Sequence, residues 1–205
     1  VAAALLLHRD GIDARIVLCG DVNRCTPDTS FYLKKAREEG VSILSAWEPL
    51  PNEILIDALF GVGLNRLVEG AKRTLIERMN ASGKQIVAAD LPSGLHADSG
   101  MILGAAVKAT RTVTMQTMKA GMLLGQGRAL CGTVTVQPLY PDASEPELFS
   151  EDEEDIAALL PPRPFDSHKG QNGHALLCVG SKTYPGAALL SARAALRGGA
   201  GLLTV

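Results

Sequence analysis

Aromatic residues are scarce in this chain, at 4% of all positions, with one Trp, three Tyr and four Phe. Packing is therefore left to aliphatic side chains. Charge of one sign is missing too: 20 basic residues face 22 acidic ones, a net −2, so no electrostatic footprint for a nucleic-acid partner exists. Long apolar runs are absent, and the longest, such as Val1–Leu7, are far too short to span a bilayer. Cys19, Cys25, Cys131 and Cys178 show no CxxC spacing, which argues against zinc and for free thiols in a reducing cytoplasm. Repeats and low-complexity tracts are lacking as well.

What is abundant is Ala, Leu, Val and Gly, with 46% hydrophobic residues overall. That mix suits helices packed on a parallel sheet, whose strands read as short aliphatic runs. Val1–Arg9 reads as the middle of a helix and Gly201–Val205 as a strand beginning, so a piece cut from a longer chain is expected at both ends. Between them helix and strand patterns alternate. Strands are predicted over Ala14–Cys19, Val41–Leu44, Glu53–Leu59, Gln85–Ala89, Arg111–Met115 and Gly132–Gln137. Helices are predicted from Asp28, as N-cap, to Glu39, and from Gly70 to Asn80. The succession predicts a three-layer α/β/α, Rossmann-like domain with one mainly parallel sheet. Residues 138–167 hold six of the eleven prolines and the acidic run Glu151–Asp155, which suits the start of a solvated helix. Beyond this linker a second α/β unit opens, with a strand over Gly173–Val179 and a helix over Pro185–Arg197.

In open parallel sheets, ligands sit at the carboxyl ends of strands. Two predicted strands reach such an end at an aspartate, and each aspartate leads into a loop with glycine. Asp57 precedes Phe60-Gly61-Val62-Gly63-Leu64-Asn65-Arg66-Leu67, and Asp90 opens Asp90-Leu91-Pro92-Ser93-Gly94. If the strands are neighbours, both carboxylates and the Ser93 hydroxyl face one cleft. Gly61 and Gly63 allow close backbone approach to a ligand, and Arg66 suits a phosphate. A lone GxG is as often a turn as a site. Oxygen ligands suit a hard cation, and a carboxylate at a cleft can move a proton. Lys119 reads better as an exposed or snorkelling lysine than as a catalytic one. His8, His96, His168 and His174 read as solvated or core residues.

The segments ILIDALFGVGLNRLVEG, QIVAADLPSGLHADSGMILGAAVKA and TVTMQTMKAGMLLGQGRALCGTVTV resemble, in order and spacing, the NAD(P)H-hydrate epimerase domain over residues 1–140. After a linker at 141–160, LPPRPFDSHKGQNGHALLCVGSKTYPGAALLSARAALRGGAGLLTV resembles the start of an ADP-dependent NAD(P)H-hydrate dehydratase domain of ribokinase-like fold over 161–205. The two in this order are the arrangement of a bifunctional nicotinamide-nucleotide repair enzyme. The resemblance implies that Asp57 and Ser93 are potassium ligands. It implies that Gly61, Val62, Gly63, Leu64, Asn65, Arg66 and Leu67 contact the hydrated dinucleotide, and that Asp90 lies at the reacting ring. Ala187 would fall near the second substrate site. Mg2+ and ADP would serve the dehydratase, most of whose binding residues lie outside this sequence. The family's Asn-Asn-Gly-Gly-Asp-Gly loop is missing before Val1, so this piece is expected to be impaired. A small-molecule substrate, hydrated NADH or NADPH, follows, with no nucleic acid and no membrane; self-association into a homo-oligomer is allowed. A non-catalytic nucleotide- or protein-binding module of the same fold is the rival, and a generic dinucleotide oxidoreductase is the weaker third, because the GxG follows a strand ending in Asp.

Overall fold

A computed structural model describes residues 1–141, 151–160 and 162–205. The chain divides into two compact units, Val1–Pro146 and Glu147–Val205. Residues 142–150 of the expected linker lie outside the described residues.

The first unit begins with α1 (Ala2–Arg9), β1 (Arg15–Val17), α2 (Pro27–Glu38) and β2 (Ser42–Leu44). The cap of α2 is Thr26, whose hydroxyl accepts from the Thr29 N–H, and not Asp28 as expected. The reason is Pro27: it fits the first helical position, where no N–H is needed, and this moves the start two residues earlier. Leu5, Ile16, Ala36 and Val41 bury a small core between these elements.

Next come β3 (Ile54–Asp57), α3 (Gly70–Ala81), β4 (Gln85–Ala89), β5 (Arg111–Met115), the short helices α4 (Ala120–Leu123) and α5 (Gly127–Leu130), and β6 (Thr133–Gln137). Strands β3, β4, β5 and β6 lie side by side in chain order, all parallel. Helix α3 buries Ile76 and Met79, one turn apart, against Trp47, Val68, Ile86 and Val107. A second core gathers Leu91, Leu95, Ala106, Met122 and Leu130.

The single expected sheet is divided. Strands β1 and β2 pair with each other and form a separate parallel ladder from β3–β6. Pro49 and Pro51, just before β3, have no N–H to offer a ladder. Side chains take over there: Glu53 accepts from Arg15 at 2.8 Å, from the Trp47 indole at 3.2 Å and from the Leu50 N–H at 2.9 Å. The α/β class with parallel strands stands; the continuous sheet does not.

The second unit holds α6 (Glu153–Leu159), β7 (His174–Leu176), α7 (Pro185–Arg197) and β8 (Leu202–Thr204), with β7 and β8 parallel. The acidic run does start a helix. Asp152 caps α6 and exchanges bonds with Asp155 in a capping box.

Candidate functional site at the ends of β3 and β4

Strands β3 and β4 are neighbours, with Asp57 opposite Ala88. The two aspartate loops therefore emerge from the same edge, and they are tied together. Asp57 is buried, and its Oδ2 accepts from the Ser93 N–H at 2.8 Å. Its Oδ1 accepts from the Ser93 hydroxyl at 2.6 Å and from the Leu59 N–H at 3.3 Å. The Ser93 hydroxyl in turn accepts from the Phe60 N–H at 2.9 Å. Burial pushes the Asp57 carboxyl above its ordinary value, against the pull of the Ser93 and Leu59 bonds. Among the described residues no cation pairs with it. A buried carboxylate beside a hydroxyl and the Phe60 carbonyl is an all-oxygen set that fits a hard monovalent cation. Among the described residues no cluster of three or more His, Cys, Asp or Glu forms a metal site of the softer or multi-carboxylate kind.

The Ser93 loop holds its shape through glycine. Gly94 has φ +93°, and a Cβ there would lie 1.8 Å from the Ala105 carbonyl oxygen, so only glycine lets the two backbones meet.

Residues Leu59, Phe60, Gly61, Gly63, Leu64, Asn65 and Arg66 line a cleft of about 390 Å³. Of the seven loop residues singled out in the sequence, Gly61, Gly63, Leu64, Asn65 and Arg66 reach this cleft. Val62 and Leu67 are exposed, and the Leu64 side chain is mostly spent on the core below. The Lys72 ammonium lies 5.0 Å from the centre of the Phe60 ring, a cation–π contact that steadies the loop's entrance.

Asp90 follows β4 with φ +72°, and the Leu91 N–H bonds back to the Ala89 carbonyl at 3.0 Å. That is a γ-turn of the rare positive-φ type, a strained conformation that Asp tolerates better than most residues. Strain of this kind collects at functional sites. Gly61 is close by: a Cβ built on it would lie 3.9 Å from Asp90 Oδ2. The other oxygen, Oδ1, accepts from Lys119 at 2.5 Å, from the Met115 N–H at 3.1 Å and from the Thr114 hydroxyl at 3.3 Å. Partial burial favours a neutral acid. The Lys119 and Met115 bonds outweigh it and hold Asp90 below its ordinary value, hence ionised at neutral pH.

Lys119 is thus not an exposed or snorkelling side chain. It sits just past the end of β5, and its three N–H groups reach Asp90, the Thr114 hydroxyl at 2.9 Å and the Met115 carbonyl at 2.8 Å. The rule that picked out Asp57 and Asp90, a polar residue at a strand's carboxyl end, applies to Lys119 as well; flexible lysine stems made it look like surface. Ala187 belongs to the second unit, in the first turn of α7. All four cysteines are free thiols.

A family model, the YjeF-related protein N-terminus, matches residues 1–121. This chain belongs to that family. Members and neighbours support the placement. A bifunctional NAD(P)H-hydrate repair enzyme Nnr of Vibrio cholerae is 37% identical over 206 residues, 97% of this chain and 42% of that protein. An NAD(P)H-hydrate epimerase of Oenococcus oeni is 39% identical over 137 residues, 66% of this chain and 65% of its own. The chain thus spans less than half of the bifunctional relative and about two thirds of the shorter one. The crystal structure of yeast ynu0, YNL200c, superposes with a TM-score of 0.56 at 17% identity, covering 68% of this chain and 60% of that one. That likeness supports the YjeF-type α/β fold and no more. Among the described residues no helix is long and apolar enough to cross a membrane.

Proposed function

We propose that this chain takes part in nicotinamide-nucleotide repair, with residues 1–140 as an NAD(P)H-hydrate epimerase that interconverts the R and S forms of hydrated NADH and NADPH. The observation that carries the reading is the Asp90 carboxylate. It is ionised, held in a strained turn at a strand end, and has one oxygen toward the glycine loop of the cleft. Epimerisation breaks and remakes a bond at the hydrated ring carbon, and a positioned base can carry the proton that moves with it. The Gly61–Leu67 loop with Arg66 is assigned to the dinucleotide, its backbone and guanidinium facing phosphate. Potassium is assigned to Asp57 and Ser93, where it would supply the positive charge that the buried carboxylate otherwise lacks. Residues 161–205, after the linker at 141–160, are assigned as the opening of an ADP-dependent, Mg2+-using dehydratase, with Ala187 near its substrate; the parent then carries lyase activity too. A cytoplasmic setting agrees with the four free thiols. A binding module without catalysis is the weaker reading, since it has no use for a strained, ionised carboxylate at the cleft.

The test, in the full-length parent protein, follows the draining of the R hydrate by excess dehydratase, with the protein-free rate as the floor. Asp90→Asn is expected to lose about 10²–10⁴-fold toward that floor while keeping fold and substrate affinity. A variant within a few-fold of wild type would leave Asp90 as a binding residue only.

A further inference from the structure

The two oxygens of Asp90 are not equivalent. Oδ1 collects every donor that reaches this carboxylate from the described residues: the Lys119 ammonium, the Met115 N–H and the Thr114 hydroxyl. Oδ2 has none and faces Gly61. Lys119 for its part has three N–H groups and three acceptors, namely Asp90, Thr114 and the Met115 carbonyl. With its donors all engaged it has no N–H left for a ligand. Its side chain is 17% exposed and that of Asp90 22%, so the pair is only partly screened by water.

A second strained turn builds this contact. Gln116, just past β5, has φ +64°, and the Thr117 N–H bonds back to the Met115 carbonyl at 2.8 Å. This γ-turn repeats the one centred on Asp90 at the end of the adjacent strand. It reverses the chain, so that Lys119 comes back over the end of β5 to Thr114 and Met115. The Gln116 side chain fixes the turn from the other side by accepting from the Leu139 and Tyr140 N–H groups at 2.8 and 3.0 Å. Two neighbouring positive-φ turns on non-glycine residues are costly for a fold to keep. Here they converge on one ion pair.

We propose that Lys119 is a positioning residue for Asp90: it ties down Oδ1 from behind, so that Oδ2 alone is presented to whatever occupies the cleft beside Gly61. The proposal rests on the reading of Asp90 as the group at the reacting ring, and adds the residue that aims it. Lys119 also fixes the charge state. It is the one charged side chain that meets the Asp90 carboxyl among the described residues. Of the elements around it, the glycine loop carries Arg66, and β5 carries Arg111 at its opposite end, beside Val87. Removing the ammonium leaves a partly buried carboxylate whose remaining partners are neutral, and its pKa must rise.

Lys119→Met keeps the stem and removes the charge. The experiment reads two things in the intact protein: the titration of the Asp90 carboxyl carbon by NMR and the pH profile of R-hydrate epimerisation. In the Met variant the Asp90 midpoint is expected to rise, because the ammonium that favours the carboxylate is gone. The acid limb of the rate is expected to move up by the same amount, with kcat falling more than KM changes. Lys119→Arg, which restores the charge but not the three-acceptor fit, should return the midpoint toward wild type while the rate stays low. An unchanged Asp90 midpoint in the Met variant overturns the proposal. A midpoint that moves while Asp90→Asn still epimerises normally keeps the Lys119 pairing and overturns only the catalytic reading of Asp90. Should the Met variant not fold, the wild-type protein decides: a Lys119 ammonium resonance that is slow to exchange with water and changes with Asp90 titration is expected. A fast-exchanging, solvent-like ammonium overturns the pairing.

Discussion

Replacing Asp57 by Ala tests the buried knot between the two loops. Three bonds end on this carboxylate, and their fates differ. The Ser93 hydroxyl can turn to the Phe60 carbonyl, already 3.3 Å away, and is not orphaned. The Leu59 N–H makes a long bond from a half-buried position and loses little. The Ser93 N–H is buried and is left without an acceptor, which costs about 1–3 kcal/mol. Loss of the side chain adds a small cavity, while removal of a buried charge gives some stability back. We expect a net loss near 2 kcal/mol in potassium-free buffer, or about 4–8 °C in Tm for a unit of this size. Potassium should widen the gap. At a hundred times its Kd it would stabilise the wild type by about 2.7 kcal/mol and the variant not at all. The pH dependence has a definite sign. Burial raises the folded-state pKa of Asp57, so the stability linked to its protonation is full below the unfolded value of 3.8. It is lost as pH rises through the raised folded value. Potassium offsets that loss, so its effect on Tm should be large at neutral pH and fade toward pH 4. The assay is thermal unfolding in potassium against lithium chloride at matched ionic strength. An Asp57→Ala protein that keeps the wild-type potassium increment, or a wild-type increment that persists unchanged at pH 4, would refute the reasoning.

Further expectations concern packing. Gly94→Ala forces a Cβ to within 1.8 Å of the Ala105 oxygen at φ +93°, and should destabilise by about 3 kcal/mol or more in urea unfolding, from backbone strain and overpacking together. A loss under about 1 kcal/mol would mean that the loop relaxes freely. In the second unit α7 buries no residue, and Leu189 and Leu196 are 55% and 53% exposed. Amide exchange along α7 should be fast beside that of β4 and β5, and equal protection of the two would count against an uncovered helix.

Much of this protein was written locally. Alternating aliphatic strands and polar helices placed β3, β4, β5, α3 and α7 within a residue or two, because periodicity follows from which side of an element is buried. The loop glycines and the two strand-end aspartates marked the site for the same reason: strand ends of a parallel sheet are where backbone and side chain can face a ligand. Three things needed the tertiary structure. Whether β1 joins β3 depends on backbone groups far apart in sequence, and prolines at 49 and 51 with the Glu53 side chain replaced a ladder there. That Asp57 is buried by Ser93, while Asp90 is tied to Lys119 29 residues on, depends on which loops meet. The two carboxylates look alike in sequence, yet burial raises the pKa of one and an ammonium lowers that of the other. A side chain's charge state is set by its neighbours in space, and no local pattern records them.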